Sequence, residues 1–377
     1  MLLDKKTKPP SKAAVGSPLT ILNASDVDTV ISQLDLELAL ESQQKVFKAF
    51  SASHTDDSTT SDIQVPHRST LTTPTQRTLV MPSRAGELLG CKFVGVPNEG
   101  SGGLPGSTVV LDAETGRVKG LVNARKLTAL RNALGKFNCY AKCWEAYGTG
   151  SALSLRAVPP KREPRNLLIF GSGAQAQSHA TIFLRLFTTL DSCTFIVRQS
   201  TPRSEALLSD SKKEFPKIKF NSGASEEDTS FNLSQAVHNA NIILTLVPTT
   251  TPLFNSVDVT SGTHLVLVGS YKPEMRDVDD ELIKRGGIIL VDSKEACMKE
   301  AGELIHAGVH SEDLLELGTL LGEEGKDLRA RFESSGDVTI FKSVSSRPFQ
   351  SFTDTPKSES ERHTPEPRYL RTCANDL

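Results

Sequence analysis

The chain is short of everything needed to build a disulfide or metal framework. Its cysteines, at positions 91, 139, 143, 193, 297 and 373, show neither C-x-x-C nor a His/Cys ligand spacing. Cys139 and Cys143 lie four apart, which is the spacing of one helix face rather than of a metal site. A chain of 377 residues has no need of a disulfide scaffold, so a reducing compartment is expected. Long apolar runs are missing too. Nothing approaches the ~18 apolar residues of a membrane span, and the charged, proline-bearing stretch 1–12 has no apolar secretion core. Charge of one sign is also absent: 43 Lys plus Arg stand against 45 Asp plus Glu. That balance offers no basic stripe to nucleic acid or to an acidic membrane surface. These absences predict a cytoplasmic protein with no metal, nucleic-acid or membrane partner. In that compartment the Asn232-Leu233-Ser234 sequon carries no glycan. The length leaves room for two domains.

What is present centres on residues 165–200. Asn166-Leu167-Leu168-Ile169-Phe170 has the unbroken hydrophobicity of a strand covered on both faces. Gly171-Ser172-Gly173-Ala174-Gln175-Ala176 follows at once. From His179 to Leu190 the pattern is helical, with Ile182, Leu186 and Leu190 every four residues and Phe183 and Phe187 beside them. Phe195-Ile196-Val197 supplies the next strand and closes a βαβ unit of the usual ~30 residues. Gly171, Gly173 and Ala176 occupy the glycine places of G-x-G-x-x-G/A. Glycine there permits the tight turn and lets backbone approach a pyrophosphate, and the helix N-terminus offers N–H donors to its charge. The motif alone also fits an ordinary strand-turn-helix, but its βαβ context points to a dinucleotide site.

A further absence bears on the cofactor. NAD-binding units usually end the second strand with an acid that bonds the ribose 2′-hydroxyl, whereas arginine accommodates a 2′-phosphate. Here Val197 is followed by Arg198-Gln199-Ser200-Thr201-Pro202-Arg203 and no acid. NADP(H) is therefore favoured, with NAD(H) as the alternative. The competing assignment makes Arg198 and Arg203 plain solvated cations.

Around this unit the chain divides. Residues 1–18 have a disordered composition. Ser25, with Asp28 three residues on, predicts a helix N-cap. Leu36, Leu40, Phe47 and Phe50 predict a helix over 36–50. Short β-type runs at 63–68, 78–81 and 91–96 precede a hairpin, 108–112 and 118–123, turning at Asp112–Gly116. A helix from Lys126 carries Leu127, Leu130, Leu134 and Phe137 on one side. The glycine-, serine- and proline-bearing stretch 148–164 predicts a boundary, placing one domain at 19–150 and another at 151–344. Beyond it the pattern predicts helices at 207–215 and 234–239 and strands at 218–220, 241–247, 264–269 and 287–292. That alternation predicts a mostly parallel, doubly wound sheet. Ligands in such sheets sit beyond the strand C-termini, which puts Thr249, Thr250, Gly269, Ser270 and Asp292 near the cofactor cleft.

Five stretches, in order, give a resemblance that none gives alone: Pro66-His67-Arg68 with Met81-Pro82; Cys91-Lys92-Phe93-Val94; Leu127-Thr128-Ala129-Leu130-Arg131; the glycine turn; and a long block from Pro248 to Leu304. That block holds Gly262-Thr263-His264, Val268-Gly269-Ser270, Arg276-Asp277-Val278-Asp279 and Glu300-Ala301-Gly302-Glu303-Leu304. Phe341-Lys342-Ser343-Val344 closes the series. Over roughly residues 19–344 the chain resembles the ornithine cyclodeaminase/μ-crystallin family. The resemblance implies a Rossmann-type doubly wound parallel sheet, an α/β architecture, plus a smaller α+β substrate and dimerisation domain. It implies a homodimeric, NAD(P)(H)-dependent oxidoreductase acting on the C–N bond of a small amino or imino acid. It also implies that Arg68, Lys92 and Arg131 hold the substrate carboxylate, a task suited to guanidinium forks and a cation. Taken singly, each also suits a solvated surface role. Lys92 is in addition a catalytic candidate. Gly171, Gly173, Ala174, Gln175, Ala176, Arg198, Thr249, Thr250, Gly269 and Ser270 are then the cofactor-binding set.

Two departures shape the expected activity. Ornithine cyclodeaminases resemble one another in an aspartate just after the Val-Gly-Gly/Ser strand end, and here that stretch reads Gly269-Ser270-Tyr271-Lys272. Tyrosine, with an ordinary pKa near ~10, is a poor base at neutral pH. Tyr271 and Lys272 are the catalytic candidates there, and reduction of an imine or dehydrogenation of an amine is favoured over cyclodeamination. A μ-crystallin-like protein that binds NADPH and a ligand without turnover, or an inactive truncated homologue, are the alternatives. The second departure is the tail. Past Val344 the family's returning helix gives way to a Ser-, Thr- and Pro-rich stretch, 345–377, which predicts disorder and a truncated or alternatively read C-terminus.

Overall fold

Alternating side chains in the first half of the chain make a sheet with two unlike faces. The computed structural model describes residues 19–33, 35–53, 63–64, 66, 69–98, 105–124, 150–158, 160, 162–224, 231–322 and 325–344. The first strands are β1 (Thr20–Leu22), β2 (Ile63–Gln64), β3 (Ser69–Thr72), β4 (Gln76–Ala85), β5 (Leu88–Pro97), β6 (Gly106–Asp112) and β7 (Val118–Asn123). They join in the order β1-β7-β6-β5-β4-β2, with β3 also on β4. Pairing is antiparallel except between β1 and β7. The expected 108–112/118–123 hairpin forms. Asp112 Oδ1 accepts the Thr115 and Glu114 N–H groups at 2.8 and 3.1 Å, and Gly116 takes a φ of 70° to close the turn. The run expected at 78–81 extends over all of β4 because Gly86, at φ 59°, folds it straight back onto β5.

By strand register, Ser83, Lys92, Val94, Thr108, Val110 and Val122 share one face, and all are buried. The opposite face shows Ile21, Leu71, Phe93 and Leu121, between 37% and 63% exposed. Two helices accompany this sheet, α1 (Ala24–Ser32) and α2 (Leu36–Ala52). The cap of α1 is Asn23, two residues before the expected Ser25. Its Oδ1 accepts the Ser25 and Asp26 N–H groups, and Asp26 returns a bond to the Asn23 N–H at 2.9 Å. The helix expected from Lys126 lies outside the described residues.

The second half contains α3 (Ser151–Ala157), β8 (Asn166–Phe170), α4 (Ala174–Leu186), β9 (Ser192–Val197), α5 (Pro202–Glu214), β10 (Lys219–Ala224), α6 (Leu233–Asn239), β11 (Ile242–Thr245) and β12 (His264–Leu267). It continues with α7 (Asp280–Gly286), β13 (Ile289–Val291), α8 (Lys294–Glu300), α9 (Gly302–His306), β14 (Leu314–Glu316), α10 (Leu317–Leu321), α11 (Gly325–Ser335) and β15 (Thr339–Lys342). The eight strands form one sheet, β10-β9-β8-β11-β12-β15-β13-β14, parallel at every pairing. The expected doubly wound sheet is thus observed, with elements added that periodicity did not signal, among them β14, α11 and β15.

Other boundaries moved for local reasons. The helix expected at 179–190 starts instead at Ala174, because Gly173 is its N-cap, and leaves helical geometry at Phe187. That expected at 207–215 starts at Pro202, behind a Thr201 cap and with proline at its first position. The core runs between the two halves. Leu40 and Phe47 of α2 pack in one cluster with Leu317, Leu320 and Phe341. A Cβ on Gly318 would lie 1.9 Å from the Phe47 carbonyl oxygen, so α2 and α10 touch backbone to backbone. Ser51 donates to Glu316 Oε2 at 2.8 Å beside that contact. Phe183 of α4 is fully buried in the same cluster. Phe183→Ala is expected to cost about 3–5 kcal/mol, read as a lowered denaturant midpoint; a loss below about 1 kcal/mol would contradict this packing.

Candidate functional site

In the eight-stranded sheet the chain runs outward from β8 through β9 to β10, then returns to add β11 and β12 on the other side of β8. The order therefore reverses between β8 and β11, and a crevice opens where their C-terminal loops part. Gly171 ends β8 with a φ of 126°, a conformation that favours glycine. A Cβ there would meet Val247 Cγ1 at 3.0 Å. Across the next strand end, a Cβ on Gly269 would lie 2.2 Å from the Val247 carbonyl oxygen and 2.6 Å from Asp277 Oδ1. Gly171, Val247 and Gly269 thus form a close row of strand ends, in which packing excludes a side chain at Gly269 and backbone conformation favours glycine at Gly171.

Gly173 caps α4 without any side-chain hydrogen bond to the first turn, which leaves that turn's N–H groups for an anion. Ala174 and Gln175 line the same turn, and Gln175 Oε1 is buried with no hydrogen-bond partner among the described residues. Ala176 is fully buried against the sheet. This cradle fits a dinucleotide pyrophosphate: glycine where backbone must come close, uncapped donors and an unsatisfied amide beside them.

The remaining expected residues fall at three places. Arg198 is exposed just past β9. Arg203, in the first turn of α5, brings Nη2 to 3.2 Å from the position a Cβ on Gly173 would take, so its guanidinium overhangs the glycine turn. Thr249 and Thr250 follow β11. Thr249 Oγ1 donates to the Thr251 carbonyl at 2.7 Å, and the Thr249 carbonyl accepts the Arg276 N–H at 2.9 Å. Gly269 and Ser270 are buried at the end of β12, and Tyr271 and Lys272 are exposed immediately beyond them. Lys272 Nζ stands 3.8 Å from Glu274 Oε1. Lys92 lies in the other sheet, on the inner face of β5, only 3% exposed, with Met81 and Thr108 opposite it on the flanking strands. Arg68 and Arg131 lie outside the described residues. Asp292 directly follows β13. It is buried, accepting from Ser343 Oγ at 2.7 Å and the Ser293 N–H at 2.9 Å. Among the described residues no group of three His, Cys, Asp or Glu side chains is arranged to hold a metal, and no helix is long and apolar enough to cross a membrane.

Sequence reasoning missed a charged cluster beneath the strand ends. Lys342 of β15, Glu303 of α9 and Asp277 are all fully buried. Lys342 Nζ lies 2.9 Å from Glu303 Oε1 and donates to the Ser270 carbonyl at 2.6 Å. Asp277 Oδ2 accepts the Thr245 hydroxyl at 2.7 Å and the Gly269 N–H at 2.9 Å. Charged residues inside an otherwise apolar motif block were the available signal. Burial alone would lower the Lys342 pKa, but the Glu303 and Asp277 carboxylates outweigh it and hold the amine protonated. Burial, reinforced by the Glu303 charge, pushes Asp277 up to about 7, and burial pushes Asp292 up to about 6. Nearby, burial pushes His264 down to about 3. Its neutral ring spans Thr339 Oγ1 at 2.7 Å and Ser154 Oγ at 3.2 Å, tying α3 to the sheet.

A carboxyl whose folded pKa is raised above its unfolded value binds its proton more tightly in the fold. Stability from Asp277 is then lost as pH climbs from about 4 to about 7. Thermal melts from pH 5 to 8 are expected to fall with pH in the wild type and, in Asp277→Asn, to flatten above about pH 6, where Asp292 has lost its proton; parallel profiles would contradict the raised pKa.

Comparison with known proteins agrees with this architecture. Residues 145–346 match the ornithine cyclodeaminase/mu-crystallin family. Delta(1)-pyrroline-2-carboxylate reductase of Bacillus cereus is 30% identical over 277 residues, spanning 71% of this chain and 76% of that protein. Ketimine reductase mu-crystallin of Macropus fuliginosus is 29% identical over 186 residues, 49% of this chain and 51% of its own length. The structure of Thermococcus litoralis Delta(1)-pyrroline-2-carboxylate reductase, in complex with NADH and L-proline, has the same fold. Its TM-score is 0.67 at 19% identity, with 86% of this chain and 92% of that one covered. Through its matched motifs, its reversing parallel sheet and these relatives, the chain belongs to the ornithine cyclodeaminase/mu-crystallin family.

Proposed function

We propose that this protein is an NAD(P)(H)-dependent oxidoreductase acting on the C–N bond of a small amino or imino acid, by ketimine or imine reduction or the reverse dehydrogenation. The observation that carries the reading is the close row Gly171–Val247–Gly269, glycine on both sides of the valine, beside the uncapped start of α4. In this reading residues 151–344 hold the cofactor, and residues 19–150 bind substrate and dimerise. Gly171, Gly173, Ala174, Gln175 and Ala176 receive the pyrophosphate, with Thr249, Thr250, Gly269 and Ser270 along the neighbouring strand ends. When bound, the nicotinamide supplies or accepts the hydride.

The chain's own part is recognition and proton handling. Arg68, Lys92 and Arg131 hold the substrate carboxylate and so fix the reacting carbon, where orientation contributes much of the rate. Burial of Lys92 supports that role, because a cation taken out of water attracts a carboxylate more strongly. Lys92, Tyr271 and Lys272 are the candidates for moving the proton at substrate nitrogen. Tyr271 in the cyclodeaminase aspartate's place favours redox chemistry over ring-closing deamination.

NADP(H) is the preferred cofactor in this reading. The end of β9 carries no acid, and Arg198 together with Arg203 over the glycine turn offers guanidinium groups to a 2′-phosphate. A homodimer accompanies the assignment, supported by the apolar outer face of the first sheet at Ile21, Leu71, Phe93 and Leu121. A cytoplasmic location fits the unpaired thiols of Cys91, Cys193 and Cys297.

Purified protein given NADPH and a cyclic ketimine carboxylate is expected to consume the reduced cofactor. Tight NADPH binding without turnover would instead mark a binding protein, and no binding would overturn the assignment. Arg198→Ala should weaken NADPH by about tenfold more than NADH, the worth of one charge-assisted hydrogen bond; equal losses would remove the 2′-phosphate role. Phe93→Arg is expected to shift the protein from dimer to monomer in light scattering, and an unchanged mass would dismiss that face as the interface.

A further inference from the structure

The cluster of Lys342, Glu303 and Asp277 has no part in the function proposed above, yet its bonds converge on the cofactor-side end of β12. The paired ladder of β12 stops at Leu267, with one further bond from the Val268 N–H to the Thr245 carbonyl. Past that point the sheet offers Gly269 and Ser270 no ladder partners. Asp277 Oδ2 takes the Gly269 N–H at 2.9 Å, and Lys342 Nζ takes the Ser270 carbonyl at 2.6 Å. Ser270 Oγ is held as well, accepting the Gly302 N–H and donating to the Met275 carbonyl, each at 3.2 Å. Opposite ends of one buried ion cluster therefore grip two successive backbone groups.

Charge is a costly way to fill this space. Burying an ion carries a penalty of several kcal/mol that pairing only partly returns, and apolar residues of similar volume often pack as well or better. What apolar residues lack is a donor for the Ser270 carbonyl and an acceptor for the Gly269 N–H. Asp277 Oδ1 is buried without a hydrogen-bond partner, lying against Gly269 where a Cβ would come within 2.6 Å. The carboxylate thus closes the space under the glycine and leaves the strand end little freedom to sink or tilt.

We propose that Lys342, Glu303 and Asp277 are positioning residues that hold the Gly269–Ser270 backbone, and with it Tyr271, at the cofactor cleft. This rests on the reading of those strand ends as the nicotinamide dinucleotide site. Lys342 and Asp277 act through the backbone, and Glu303 acts by keeping Lys342 charged and oriented. None of the three touches substrate or cofactor.

The test compares wild type with Lys342→Met/Glu303→Gln, which removes the ion pair and leaves the buried Asp277 carboxyl to keep its proton, and with Glu303→Gln alone, which keeps volume and an acceptor. Hydrogen exchange over residues 268–272, NADPH affinity, kcat and KM are measured on the full chain. In the double variant, exchange in that segment is expected to quicken by about tenfold while the rest of the sheet is unchanged. Its kcat is expected to fall by about tenfold, with KM and NADPH affinity within about threefold of wild type. Glu303→Gln should show the same pattern more weakly, and it decides the matter where the double variant does not fold. Unchanged exchange in that segment, or a kcat loss matched by equal loss of NADPH affinity, would overturn the proposal. Failure of the wild type to bind NADPH would overturn the cofactor reading beneath it instead.

Discussion

At the centre of the second sheet, backbone meets backbone with nothing between. Gly269 presses on the Val247 carbonyl with no space for a methyl group, and Gly171, at a φ that favours glycine, meets the Val247 side chain from the other side. That close approach brings the ends of β8, β11 and β12 into one row at the point where strand order reverses. It also sets the start of α4 beside the row, with its first-turn N–H groups free of side-chain caps. A wider spacing would fill the crevice with side chains and leave a phosphate no backbone to approach.

The polar interior behind this row follows from it. Parallel strands buried on both faces are satisfied by their ladders until they end, and then every N–H and C=O needs another partner. Here the partners are Asp277, Lys342, Thr245 and Ser270 under β12, with Asp292 and Ser343 under β13 and β15. The buried carboxyls keep their protons to higher pH than exposed ones because water no longer stabilises their charge. A neutral His264 serves the same economy of hydrogen bonds, joining Thr339 to Ser154 across elements far apart in sequence.

The first sheet divides its labour between faces. Lys92, Ser83 and Thr108 lie on the buried side among valines, while Leu71, Phe93, Ile21 and Leu121 stand in solvent on the other. An inward lysine on a central strand carries a desolvation cost that its surroundings must offset. The outward face leaves those four apolar side chains between 37% and 63% exposed.

Local pattern made much of this legible. The apolar run of β8, the glycine turn and the hairpin at Asp112–Gly116 are set by near neighbours, so their types and places could be read directly. Helix starts were read less well, at Asn23, Ala174 and Pro202, because capping chemistry outranks hydrophobic periodicity over a single turn. The candidate site was legible through Gly171, Gly173, Gly269 and Ser270, whose neighbourhood follows from strand order, and through Lys92 as a motif residue. Arg203's reach over Gly173, the bond of Ser343 to the buried Asp292 and the grip of Lys342 on Ser270 were not. The sequence alone determined a doubly wound sheet with a dinucleotide turn. Only the tertiary structure decided that Phe341-Lys342 enters the sheet between β12 and β13, since that place depends on strand pairings 51 and 75 residues apart in the chain. Pairings at such distance leave no periodic trace in the sequence.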